Sequence, residues 1–559
     1  MRIDFYPDKA QYLTGEPVGL TAELDGNPPE GGEAVLRIFR LDETVTIRKC
    51  PAAKKMAFRL EGFPEAFAGF GAELTLMQNG AAAQCASTAF DVVSEHRRAV
   101  RYGFLSDFDT SDAGCDDVET LRKYHVNYVQ YYDWSYRHDE LVAPADRYAD
   151  MMGKPVDINT VKEKIAACRR FGIKSLGYGA VYAASRSFYE KHPDWGFYTS
   201  AGDPFVFIGT FYLMNVQRGS PWREHILSEY AKAVGRVGFD GIHMDTYGFP
   251  KTAFSRLNRQ SGLVRLAEEY PSLIEEAKET LDRVRPDSAL IFNNVGNWPV
   301  EGVATAPQDA VYIEVWDPNT RYSHIRQIIA DAKRACGNSK PVILAAYLAP
   351  FRTDTPERAE NAALLLTAAI ASNGASHLLL GEKDAVLTQG YYVGHSFLSE
   401  RQADRMRRYY DFTVRYLELL YDGTLTDVGT THIGWDNTEY KCENRAWSPD
   451  GRPGTLWLTI RENDSRKLIS IINLFGCEDD EWNRGKSTPV PQTGIRFQVQ
   501  LDRQVKGIFL ASPDREDGRS VPLPYHLERT DRGMAAHFTV PGVCRWSLVY
   551  IVLKNDFLI

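Results

Sequence analysis

Between about residues 98 and 422, short apolar runs alternate with long amphipathic stretches, and this alternation restricts the fold more than any other feature of the chain. The runs are Tyr102-Gly-Phe-Leu-Ser106, Val126-Asn-Tyr-Val-Gln-Tyr131, Ser175-Leu-Gly-Tyr-Gly179, Gly241-Ile-His-Met244, Ala289-Leu-Ile-Phe292, Val311-Tyr-Ile-Glu314, Val342-Ile-Leu-Ala345 and Ser376-His-Leu-Leu-Leu380. Each has the length and apolar character of a strand buried on both faces. The pattern between them predicts helices over 161–171 after an Asp157 start signal, 222–237 after Ser220-Pro221, 263–284, 324–335 and 357–372, with a closing helix over 400–420. Eight strands alternating with helices predict a (β/α)8 TIM barrel, whose active site forms at the strand C-termini.

On either side the period changes. Residues 1–97 show short alternating runs such as Pro17-Val-Gly-Leu-Thr-Ala-Glu-Leu24 and Glu33-Ala-Val-Leu-Arg-Ile-Phe39, broken by Gly and Pro. They predict a small immunoglobulin-like antiparallel β-sandwich. Residues 423–559, with Thr455-Leu-Trp-Leu-Thr-Ile460 and Trp546-Ser-Leu-Val-Tyr-Ile551, predict a C-terminal antiparallel β-sandwich around its own core. The expected organisation is therefore three domains, 1–97, 98–422 and 423–559. A net charge of -9 argues against a nucleic-acid partner. No apolar stretch is long enough to span a membrane, because Ala363 to Leu380 is broken by Ser372-Asn-Gly374 and His377. The eight cysteines have no paired spacing, which argues against a zinc site or a disulfide framework. The N-terminus Met-Arg-Ile-Asp-Phe-Tyr-Pro-Asp lacks a signal-peptide pattern, so the expected location is cytoplasmic, or secreted if the chain is a processed form.

The strand tips carry the chemistry. They present Asp107 after the first strand, Tyr132, Asp133 and Trp134 after the second, Tyr182 after the third, Asp245 after the fourth, Asn293 after the fifth, Glu314 and Trp316 at the sixth, Tyr347 after the seventh and Glu382 after the eighth. A helix cap or a turn accounts for many such residues, and for Asp107 and Asp240 that reading is favoured. Asp245 and Glu314 fit it poorly. Glu314 lies inside the apolar run Val-Tyr-Ile-Glu-Val-Trp, where an unpaired charge is costly. Burial beside Trp316 is expected to keep it protonated and suited to an acid, while Asp245, next to Thr246 and flanked by His243, is expected to be the ionised partner. Two carboxylates of this kind are what glycosidic bond cleavage needs, one on the anomeric carbon and one on the leaving oxygen.

Longer blocks sharpen this reading. Tyr102-Gly-Phe-Leu-Ser-Asp-Phe108, Tyr124-His-Val-Asn-Tyr-Val-Gln-Tyr-Tyr-Asp-Trp-Ser-Tyr-Arg-His138, Phe239-Asp-Gly-Ile-His-Met-Asp-Thr-Tyr-Gly248, Tyr312-Ile-Glu-Val-Trp316 and Tyr409-Tyr-Asp-Phe-Thr-Val-Arg-Tyr416 resemble, in order, glycoside hydrolase family 66, the dextranases and cycloisomaltooligosaccharide glucanotransferases. The resemblance implies a retaining enzyme on α-1,6-glucans, dextran or isomaltooligosaccharides, with Asp245 as nucleophile and Glu314 as acid/base. It places Asp133, Trp134, Tyr136, Arg137 and His138 near the sugar before the cleaved bond; Ser135 departs from the larger apolar residue of that block. Asp107, Tyr182, His243, Asn293, Trp316, Tyr347 and Glu382 complete the expected substrate-binding set. No metal or other cofactor is expected. Cyclising members carry a carbohydrate-binding module inserted in the barrel domain, and no connection here is long enough for one, so hydrolysis is favoured over transfer. The loop from Ala183 to Phe207, with Trp195, Phe197 and Tyr198, is expected to shape the cleft. The rival readings are a transglycosylase on the same substrates, an α-galactosidase or α-glucosidase of another barrel family, and a non-catalytic carbohydrate-binding protein.

Overall fold

The computed structural model describes residues 2–257 and 262–557; the outermost residues of the expected flanking domains, 1, 558 and 559, lie outside them. The chain is multidomain and mostly β, built around one eight-stranded parallel sheet. Its strands are β1 (Tyr102–Leu105), β2 (Tyr128–Tyr131), β3 (Lys174–Ala180), β4 (Gly241–Asp245), β5 (Ala289–Val295), β6 (Ala310–Glu314), β7 (Val342–Ala345) and β8 (Ser376–Leu378). They pair in sequence order, and a parallel bridge from Phe104 to Gly381 joins the last strand to the first. The sheet therefore closes as a TIM barrel.

A helix follows every strand: α1 (Asp116–Lys123), α2 (Ile158–Arg170), α3 (Pro221–Lys232), α4 (Leu266–Val284), α5 (Val300–Val303), α6 (Tyr322–Ala335), α7 (Pro356–Ser372) and α8 (Glu400–Arg415). The start signals act as the sequence predicts. The Asp157 carboxylate accepts from the Asn159 amide, and Pro221 stands in the first turn of α3, where its missing N–H costs nothing. Helix α4 begins three residues later than its apolar pattern, because Gly262–Arg265 is recruited as a strand against Thr252–Ser255. Helices α1 and α5 leave too short a periodic signal to be read in advance.

The barrel interior is filled by Tyr102, Phe104, Tyr128, Leu176, Ile291, Tyr312, Ile343 and Leu378, among others, and the helices pack outside on a separate, larger core. N-terminal to the barrel, a three-stranded and a five-stranded sheet share the core that holds Leu20, Phe58, Phe70 and Phe90. They are tied to the barrel by a buried, bidentate Arg101–Asp91 pair at 2.8 and 3.0 Å. Removing either partner leaves an uncompensated buried charge, at a cost of about 3–5 kcal/mol. C-terminal to it, a seven-stranded and a four-stranded sheet enclose Ile469, Phe497, Phe538 and Ile551. All eight cysteines are free thiols. Among the described residues no helix is long and apolar enough to cross a membrane.

Candidate active site

Strand alternation decides which side chains meet. In β4, Ile242 and Met244 join the outer core, so His243 and Asp245 take the inner face. The same parity turns Ile291 and Asn293 of β5, and Tyr312 and Glu314 of β6, inward. Because β4, β5 and β6 are neighbours, Asp245, Asn293 and Glu314 gather at one place at the C-terminal mouth of the barrel.

One side-chain amide holds both carboxylates. Asn293 Nδ2 donates to Asp245 Oδ1 at 2.7 Å and to Glu314 Oε2 at 3.1 Å. Those two oxygens are therefore at most about 5.8 Å apart, the sum of the two bonds. Each carboxylate also accepts from a tyrosine: Tyr178 to Asp245 Oδ2 at 2.7 Å and Tyr347 to Glu314 Oε1 at 2.6 Å. The Tyr392 hydroxyl lies 3.2 Å behind that of Tyr347 and 2.9 Å from that of Tyr312, which continues the network into the barrel. Gly390 leaves the acid its space, since a Cβ there would stand 3.0 Å from the Trp316 ring and 3.3 Å from Glu314 Oε1.

Electrostatics correct one expectation. Burial pushes Glu314 up, as predicted, against the hydrogen bonds from Tyr347, Asn293 and Trp316. Burial and the Glu314 charge also push Asp245 up, to about 7, against the bonds from Tyr178 and Asn293. Both acids lose solvent at the same mouth, and the Glu314 charge adds to the cost of ionising Asp245, so each is held above its ordinary carboxylate value. Asp133, at a left-handed φ of 50°, is pushed up to about 8 by burial, with Asp150 and Asp245 adding to it.

Against this geometry, the model of glycosyl hydrolase family 66 matches residues 7–550. The chain belongs to glycosyl hydrolase family 66. It is similar to a cycloisomaltooligosaccharide glucanotransferase of Niallia circulans, 21% identical over 99% of this chain and 72% of that protein, and to a dextranase of Streptococcus salivarius, 21% identical over 79% of this chain and 60% of the dextranase. A solved structure of a Paenibacillus cycloisomaltooligosaccharide glucanotransferase complexed with cycloisomaltoheptaose superposes with a TM-score of 0.89 at 21% identity, covering 98% of this chain and 99% of that one. A family 66 chain is a carbohydrate-active enzyme, in keeping with the paired carboxylates.

The other residues expected in the family 66 site divide into groups. Asn293 and Tyr347 bond the carboxylates directly, and Trp316 stands at the rim, 42% exposed. His138 stacks on Phe211 with centroids 4.7 Å apart and meets the Tyr178 ring edge, and burial drives it down to about 4, so it is neutral near pH 7. His243 lies buried in the barrel interior, its Nδ1 2.8 Å from the Tyr102 hydroxyl. Tyr136 and Arg137 pair with each other at 3.0 Å, with no bond to either carboxylate. Asp107 and Glu382 form a cluster of their own where β8 meets β1. Glu382 accepts from the Ser106 amide and hydroxyl at 2.9 and 2.6 Å, while Asp107 accepts from Lys154 at 2.6 Å. Asp107, Glu382 and His395 present three potential metal-ligand atoms together, but the Lys154 ammonium already supplies positive charge there.

Two expectations are corrected. Trp134 does not line the site: it is fully buried, its indole donating to the Tyr178 carbonyl at 3.1 Å and packing on Phe239. The chain leaves the strand at Tyr131 and turns through the left-handed Asp133, and the Trp134 ring beyond that turn packs into the core outside the barrel. Trp134→Ala is expected to cost about 3–5 kcal/mol of stability, read as a lowered denaturant midpoint. Tyr182 is likewise a strut, donating to the Phe249 carbonyl at 2.9 Å and accepting from the Tyr247 amide at 2.6 Å. Tyr178, Tyr247, Tyr392 and Lys154 were not singled out in the sequence. For Tyr178 the signal was present, since it shares the inward parity of Leu176 in Ser175-Leu-Gly-Tyr-Gly179. In the loop after β3, the rings that reach the site residues are Phe207, stacked on Tyr247 at 4.3 Å, and Phe211; Phe197 and Tyr198 are buried and Trp195 stacks on His192.

Proposed function

We propose that the chain is a retaining glycoside hydrolase that cleaves α-1,6-glucosidic bonds of dextran or isomaltooligosaccharides, acting as an endo-glucanase. The observation that carries this reading is the single Asn293 amide bonded to both Asp245 and Glu314. Retaining enzymes hold their two carboxyl groups about 5–5.5 Å apart, and inverting ones about 6.5–9.5 Å to admit a water. The oxygen pair that Asn293 bridges is at most about 5.8 Å apart, short of the inverting range, and this supports retention.

Asp245 attacks the anomeric carbon as Glu314 gives its proton to the departing O6, forming a glucosyl ester on Asp245. Glu314, now ionised, takes a proton from water, which attacks the same carbon and restores the free Asp245 carboxylate. Tyr178 and Asn293 stabilise the ionised Asp245, and Tyr347 and Asn293 stabilise Glu314 once its proton has left. Sugar recognition is supported by His138 Nδ1 and Asn293 Oδ1, buried polar atoms without a hydrogen-bond partner among the described residues. Buried polar groups are rarely left unpaired, and sugar hydroxyls would satisfy these. Asp133 and Trp316 complete the proposed contacts at this centre.

Hydrolysis rather than cyclising transfer is supported by the comparison with the Niallia circulans relative. That alignment runs over 713 positions, more than the 559 residues of this chain, so the relative carries inserted segments absent here. The flanking sheet pairs are proposed to be β-sandwich domains with boundaries near residues 97 and 422, bracing the barrel. Incubation with dextran and with isomaltotriose, followed by NMR before mutarotation and by chromatography, tests the reading. The expected first products are α-anomers of isomaltooligosaccharides. A β-anomer appearing first, or no cleavage of either substrate, would contradict it.

A further inference from the structure

On the outer face of the four-stranded C-terminal sheet, far along the chain from the carboxylate pair, three metal-ligating side chains converge. The strand Tyr525–Thr530 forms the sheet edge and pairs antiparallel with Gly533–Val543, with His526 directly opposite His537. Alternation puts Glu528 on the same face as His526, while Ala536, Phe538 and Val540 point inward to the domain core. The two imidazole rings lie face to face, centroids 4.9 Å apart and 11° from parallel. One ligand atom from each of His526, Glu528 and His537 lies within 4.8 Å of the others.

We propose that His526, His537 and Glu528 form a binding site for a divalent transition metal ion of the zinc type, which clips the edge strand to its neighbour. Three further observations point the same way. His537 Nε2 is buried and makes no hydrogen bond in the described structure, although Glu528 Oε2 stands 3.4 Å away. The Glu528 contact does not make a hydrogen bond, and a metal shared with Glu528 would bond this shielded nitrogen directly. On the opposite side of the ring, Glu443 Oε1 lies 4.0 Å from His537 Nδ1, while its Oε2 accepts from Arg496 at 3.2 Å. A carboxylate behind the second ring nitrogen is the usual partner that orients a metal-bound histidine. Finally, Glu528 is 61% exposed and free to swing; with one imidazole turned out of the stack so that both ring nitrogens aim at one point, the three ligands would close to the bond lengths of about 2.0–2.2 Å that zinc needs, with water in the fourth place.

The donor set selects the ion. Two imidazoles and one carboxylate suit zinc, copper or nickel, whereas calcium and magnesium prefer oxygen-only sets. A metal here also addresses the edge-strand liability, since Tyr525–Thr530 leaves one side unpaired and its residues are largely exposed. The pattern was not legible in the sequence, because the histidines are brought together by cross-strand register and not by short spacing.

Calorimetric titration of the chelator-treated full chain with zinc chloride tests this, with thermal unfolding alongside. The exposed thiols Cys85 and Cys544 are alkylated first so that they do not compete. Wild type is expected to bind one zinc per chain and to unfold at higher temperature when zinc is present; calcium is expected to do neither. The double variant His526→Ala/His537→Ala is expected to lose at least about tenfold in affinity together with the thermal shift, and Glu443→Gln to weaken binding by about 10–100-fold. Cleavage activity is expected to stay unchanged in both variants. Zinc binding of equal strength in wild type and the double variant, or no zinc binding by wild type, would overturn the proposal.

Discussion

Asp245→Ala is expected to lower turnover on dextran by on the order of 10⁴-fold or more, the scale seen when a nucleophile is removed from a concerted catalytic unit. The fold is expected to survive, and the sign of the stability change is itself informative. Burial and Glu314 raise Asp245 in the folded state to about 7 from its ordinary 3.8. A carboxyl whose folded pKa lies above its unfolded value binds its proton more tightly when folded. Its cost to stability is therefore absent below the unfolded pKa, grows as pH rises from about 4 to 7, and is constant above that. The cost is on the order of a few kcal/mol, offset in part by the cavity that alanine leaves. Urea denaturation across pH is expected to show the variant gaining on wild type between pH 4 and 7. A variant that keeps wild-type turnover, or that loses stability relative to wild type as pH rises, would contradict the account.

The second large effect falls on Asn293. Among the described residues its amide is the one side chain bonded to both carboxylates, so Asn293→Ala removes two charge-stabilising donors at once and leaves their relative position unset. Loss of a donor aimed at developing charge costs about 10²–10³-fold in kcat, and that range is expected here. The pH profile separates positioning from simple unfolding. Both bonds favour the ionised forms, so their loss raises both acids further. The acid limb of kcat/KM, which reports the carboxylate that must be ionised, is expected to move to higher pH, and the basic limb with it. A uniform loss of activity with an unmoved profile would indicate a structural role alone.

These predictions rest on features that the sequence carries to different degrees. The barrel was legible because each of its eight strands is a short apolar run, and period and length distinguish such runs from the amphipathic stretches between them. The carboxylate pair was legible because Glu314 interrupts one run and Asp245 ends another. Parity then made Asn293 and Tyr347 reachable, since both stand at even offsets from interior residues of their own strands. Parity does not reach Trp134, which lies beyond the strand end after the left-handed turn at Asp133. Lys154 was out of reach, because its approach to Asp107 depends on the small hairpin Arg147–Ala149 with Pro155–Asp157, whose register the sequence does not announce. The upward shift of Asp245 is hidden in the sequence for a related reason. Its polar neighbour Thr246 suggests solvent, while barrel closure buries both acids and sets the Glu314 charge against ionisation of Asp245.

The central claim is that Asp245 becomes covalently bonded to the sugar while Glu314 handles the proton. Mass spectrometry of Glu314→Gln, quenched during reaction with an α-glucosyl fluoride, tests this most directly. Fluoride departs without an acid, so the first step proceeds, and the second stalls because no base activates water. The expected result is a hexosyl adduct on the peptide that contains Asp245. Turnover of the fluoride with no adduct, or an adduct on any other residue, would contradict the double displacement.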